Sequence, residues 1–153
     1  TLSDNVNRTI SSLRGYFSKL KGEIAKPNSV KNTFNHAGEI IISKDGITED
    51  ELMEKTLMAL EKIEITNNEE PVQETNNLDD CYQVITMPKY FYKVRDNLKE
   101  LGLNIIESEI KYIPTDFVDL NKEDYARLER FLDSCADDDD IQWVISNFGE
   151  VID

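Results

Sequence analysis

Hydrophobic positions along the chain change period several times, and each change marks an element. Ile10, Leu13, Phe17 and Leu20 recur at i, i+3, i+7 and i+10, which is one apolar stripe of an amphipathic helix. Thr9 or Asn7 is placed to cap its first turn, and Gly22 suits the left-handed residue that ends it. After Pro27, residues 29–35 alternate as a half-buried strand does, with Val30 and Phe34 set against Lys31, Thr33 and Asn35. Residues 36–39 read as a turn holding His36, and Ile40, Ile41 and Ile42 as a second strand, so a β-hairpin is expected.

Lys44-Asp45-Gly46 is a turn, and Thr48 with Glu51 has capping-box spacing before a helix through Leu52, Met53, Leu57 and Leu60. A short strand is expected around residues 63–65. Residues 66–80 are rich in Asn, Glu and Thr and contain Pro71, so they read as a flexible insertion with little to bury. Residues 81–86 form a strand, Phe91, Val94, Leu98 and Leu101 the stripe of another helix stopped by Gly102, and residues 104–113 a long strand. Beyond Pro114 the pattern restarts with a strand at 117–120, a helix capped by Asn121 with Tyr125, Leu128 and Leu132 on one face, and a last strand at 141–145. Neither end of the chain has enough strands to close a core alone. The fold class is therefore α+β, with two small α/β sandwich-like, ferredoxin-like domains. Residues 1–46 and 114–153 build one discontinuous domain, and residues 47–113 are inserted into it.

Charge changes this picture at one place. The chain of 153 residues carries a net charge of −14, which keeps it soluble and repels polyanions at long range. Residues 1–36, however, hold six Lys or Arg against Asp4 and Glu23, a local balance of +4. Any nucleic-acid contact must be local to this basic stretch. Arg8 and Arg14 suit forked phosphate contacts, Lys19, Lys21 and Lys26 add point charges, and Asn5 or Asn7 can hydrogen-bond bases, 2′-hydroxyls or backbone. Against this stands the bland reading of a solvated helix face, with Asn7 and Arg8 holding the helix entrance by capping and ion pairing.

No apolar run approaches the roughly 20 residues of a membrane span. The chain begins at Thr1-Leu2-Ser3-Asp4 without a signal-peptide pattern, as though an earlier part were missing, and Cys81 and Cys135 are expected as reduced thiols. With one His and no Cys-x-x-Cys, no metal or cofactor is expected. The run Asp137–Asp140 lacks the alternate spacing of a calcium loop and reads as a solvated helix end. Glu107 and Glu109 alternate on a strand with no nucleophile or phosphate loop beside them, so catalysis is not expected.

Asp4-Asn5-x-Asn7-Arg8-Thr9, Arg14, Phe17-Ser18-Lys19 and Gly22, followed by Ser29-Val30, Phe34 and Gly38, resemble the signature of the YebC family. This family includes bacterial YebC proteins and the mitochondrial translational activator of cytochrome c oxidase subunit I. The similarity continues through Tyr82-x-Val84-x-Thr86, Leu98-x-x-Leu101-Gly102, Ile113-Pro114 and Val118-x-Leu120 to Asp137-Asp138-Asp139-Asp140-Ile141-Gln142. It implies a three-domain pattern: a basic helical N-terminal domain, which this chain lacks, and two α/β domains, the third inserted in the second. The chain departs from the pattern at Lys31-Asn32-Thr33, at Gly22-Glu23 and in the length of residues 66–80. The resemblance implies a non-enzymatic regulator of gene expression. A translation factor binding RNA or the ribosome is the preferred expectation, with a DNA-binding transcriptional regulator or a protein-docking subunit as alternatives. Its location would be the cytoplasm in a bacterium or the mitochondrial matrix in a eukaryote.

Overall fold

In the computed structural model, which describes residues 1–152, the chain divides into two compact units. One joins Thr1–Asn35 to the chain from Pro114 onward, and the other is His36–Ile113. The boundary after residue 35, rather than 46, follows from one strand. β1 (Phe34–Ser43) is continuous and the expected hairpin does not form: the expected first strand is turn and 3-10 helix up to Thr33, only Phe34 and Asn35 of it are strand, and the expected turn residues His36–Glu39 lie within β1. Gly38 is needed there because a Cβ would run into the side chains of Phe91 and Thr86, so it is a close-approach glycine rather than a turn glycine.

The second unit then reads β1, α2 (Glu49–Glu61), β2 (Val72–Asn77), β3 (Cys81–Thr86), α3 (Phe91–Glu100) and β4 (Ile105–Pro114). The sheet order is β2-β3-β1-β4, with β3 antiparallel to both β1 and β2. This is the split β-α-β arrangement of a ferredoxin-like fold. Ile40 and Ile42 lie opposite Val84 and Tyr82 and share a core with Leu52 and Ala59 of α2 and Phe91, Val94 and Leu98 of α3. Both helices therefore cover one face of the sheet. Thr48 and Glu51 form the expected capping box, while Met53 and Leu57 point to solvent.

Two expectations fail here. Residues 63–65 form no strand, and the polar stretch 66–80 contains β2 rather than a structureless insertion. Its sequence, Val-Gln-Glu-Thr-Asn-Asn, gives few side chains to bury, but an edge strand is held by its backbone ladder to β3. On the face away from the helices, polar side chains cross the sheet in strand order. Asn76 donates to Gln83 and Gln83 to Glu39, and Glu39 pairs with Lys111, which also reaches Glu109.

In the first unit, α1 (Val6–Leu20) packs on α4 (Lys122–Ala136), with Phe17 against Phe131 at a ring separation of 4.8 Å. β5 (Val118–Asn121) and β6 (Phe148–Ile152) pair in parallel on either side of α4. The last strand is thus β6. Residues 141–145 are irregular, starting from a turn in which Ile141 N–H donates to the Asp138 carbonyl. Asn121 caps α4 as expected, accepting from the Asp124 amide.

Candidate nucleic-acid interface

The entrance of α1 is built from short polar residues. Asn5, not Thr9 or Asn7, is the cap, and its side chain accepts from the Arg8 amide at 3.1 Å. Thr9 is 4% exposed and its hydroxyl donates to Asp140 Oδ2 at 2.7 Å, which Ser3 Oγ also reaches at 3.0 Å. Arg8 Nη2 sits 2.8 Å from Asp4 and 3.1 Å from Asp140. The Thr9 hydroxyl and then the Arg8 guanidinium hold the Asp140 carboxyl below the usual carboxylate range. The same contacts from Asp140, then Asp4, raise Arg8.

The aspartate run is therefore not a solvated helix end. Asp140 ties down the start of α1, and Asp138 accepts from the Tyr16 hydroxyl at 2.9 Å, raising that phenol above its ordinary value. The sequence shows four acids in a row, but not that two of them have partners on the first helix.

These contacts divide the expected site residues. Asn5 and Arg8 are engaged in holding α1. Asn7 is exposed, with its carbonyl accepting from Ser11. Arg14, Lys19, Lys21 and Lys26 are exposed, and among the described residues no ion pair involves them. Arg14 borders a shallow groove with Ile10, Leu13 and Phe17 on α1 and the loop from Gly22 to Pro27. Lys21, rather than Gly22, adopts the left-handed conformation that ends the helix, and Gly22 N–H closes the last turn on the Phe17 carbonyl at 2.8 Å.

Lys19 faces a different hollow, a cleft of about 250 Å³ between α1 and α4 lined by Tyr16, Leu20, Arg127, Arg130, Phe131 and Ser134. Arg127 and Arg130 were not expected as site residues, because α4 lies in the acidic part of the sequence. Their spacing of three on one helix was the available signal. Among the described residues no group of three His, Cys, Asp or Glu side chains could hold a metal, and no helix is long and apolar enough to cross a membrane.

The family described as "TACO1/YebC second and third domain" matches residues 1–148. A probable transcriptional regulatory protein of Malacoplasma penetrans is 78% identical over 99% of this chain and 61% of its own length. Another so named, from Mycoplasmoides gallisepticum, is 44% identical over 96% of this chain and 58% of its length. The crystal structure of a conserved hypothetical protein from Aquifex aeolicus superposes with a TM-score of 0.70 at 28% identity, covering 97% of this chain and 57% of that one. The chain thus spans about three fifths of the relatives it matches. With agreement running through nearly all its residues, the chain belongs to the TACO1/YebC family, in the part that forms the second and third domains.

Proposed function

We propose that this chain is the RNA- or ribosome-binding portion of a non-enzymatic regulator of gene expression, acting in translation. The observation that carries this reading is the set of exposed basic residues, Arg14, Lys19, Lys21 and Lys26, which have no ion-pair partner among the described residues of a protein of charge −14. A cation left unpaired in so acidic a chain is available to an external phosphate, and each such contact releases counterions. Asn5 and Arg8 support the interface by fixing the start of the helix, and Asn7 lies exposed beside them. Family membership and bacterial relatives favour the cytoplasm of a bacterial cell as the place of action.

Ribosome pelleting across a salt series tests the reading. The chain is expected to sediment with ribosomes at low salt and to be released as salt rises. With four phosphates engaged, the logarithm of affinity for single-stranded RNA should fall with a slope of about 3 against the logarithm of salt. Arg14→Glu with Lys21→Glu should abolish association without unfolding the protein. A second reading, a DNA-binding transcriptional regulator, is favoured by the names its relatives carry. Retention of duplex promoter DNA at low salt without ribosome association would select it.

A further inference from the structure

We infer that the cleft between α1 and α4 is a phosphate-binding subsite, with Lys19 and Arg130 as its donors. Three cations converge on it from two helices. Arg127 is committed, since its guanidinium pairs with Glu123 and lies 2.6 Å from Asp124, so it forms part of the wall. Lys19 and Arg130 have no acidic partner among the described residues and are exposed at the mouth. The hydroxyls nearby cannot compete for them as anions: Tyr16 donates to Asp138, and Ser134 donates to the Arg130 carbonyl. The floor is apolar, from Leu20 and Phe131, which lowers the local dielectric and strengthens a charge-assisted contact.

Size narrows the ligand. At about 250 Å³ the cleft is smaller than the pockets of about 300–1,000 Å³ that enclose whole small molecules. It therefore fits a single phosphate group, either one unit of an RNA backbone or a free phosphate. The choice of RNA as the source rests on the function proposed above. The phosphate site itself does not.

The test uses the 153-residue chain labelled with nitrogen-15. Inorganic phosphate is titrated against chloride at matched ionic strength, and a fluorescent single-stranded RNA 12-mer is titrated separately. Phosphate should shift the amides of Lys19, Arg130 and Ser134 beyond the chloride control, and Lys19→Glu with Arg130→Glu should remove those shifts. Among the described residues neither side chain has an ion-pair partner to lose, so the double variant should stay folded, and Arg14→Glu with Lys21→Glu, the same change of four charges away from the cleft, should leave the phosphate shifts in place. If RNA is the source, its affinity should fall on the order of tenfold for each contact removed. Specific phosphate shifts with RNA affinity unchanged in the double variant support the subsite with free phosphate as its source. Phosphate shifts in a protein that binds no RNA keep the subsite and remove the RNA reading. Shifts no larger than those from chloride, or shifts that persist in the double variant, overturn the subsite even if RNA still binds through Arg14 and Lys21.

Discussion

Asp140 shows how one carboxylate organises a helix start. It receives the Thr9 hydroxyl, the Ser3 hydroxyl and the Arg8 guanidinium, and its side chain is only 16% exposed. Its pKa in the folded chain lies below the unfolded value of about 3.9. The stability it contributes is therefore complete above that unfolded value and is lost as pH falls through the depressed folded one. Asp140→Asn should lower the thermal midpoint at neutral pH by a few degrees. The gap to the parent should narrow as the pH falls below that unfolded value, followed by circular dichroism. A gap that stays constant with pH would remove charge from the explanation. Little of this was legible in the sequence. The basic residues and the acid run both stood out, but Thr9 and Asp140 are 131 positions apart and nothing local ties them. Gly38 misled for a related reason: a glycine beside a His and an Ala reads as a turn until the ring of Phe91 is seen to occupy the space of its missing Cβ.

Among the elements, the helices were the most legible, because a stripe at helical period with a cap states both the type and the ends. α3 follows its stripe, and α2 and α4 start at their expected caps, but α2 buries Thr56 and Ala59 beside Leu52 in place of Met53 and Leu57, and α4 buries Phe131 and Cys135. Strands were less so. β2 is held by its neighbour's backbone, and residues 141–145 look like a strand but are irregular, while the pairing strand lies further on at β6. The polar chain from Asn76 to Glu109 has a cost and a use. Glu39 is 7% exposed, and burial pulls the Lys111 ammonium down, yet the hydrogen bond and charge of Glu39, with Glu109, leave it above its usual value. Lys111→Met should leave Glu39 buried with only Gln83 to satisfy it. A loss of about 1–3 kcal/mol in urea unfolding is expected, below the value for a fully buried pair because Lys111 is partly solvated. Glu39→Gln, which keeps an acceptor and drops the charge, should cost less.

For the molecule as a whole, charge acts in opposite directions on stability and on binding. At −14 the chain repels itself, and exposed pairs such as Lys62 with Glu100 add little, about 0–1 kcal/mol each. Raising salt from low ionic strength should therefore raise the thermal midpoint by screening that repulsion, while the same change weakens any phosphate contact. A midpoint that falls with added salt would mean that ion pairs, not repulsion, dominate.

The tie between Thr9 and Asp140 also bears on the order of assembly. A ribosome makes α1 before the whole of the other unit, yet the helix it packs on and the aspartate that secures its entrance come after that unit. The unit ending at Ile113 has all its strands and helices before α4 exists, so it can fold while α1 waits with Phe17 and Thr9 uncovered. Once folded, that unit holds residues 35 and 114 as fixed ends, and joining α1 to α4 no longer requires closing a loop of the whole intervening chain. Synthesis thus leaves one amphipathic helix exposed while the inserted unit is made, and α4 and Asp140 cover it when they emerge.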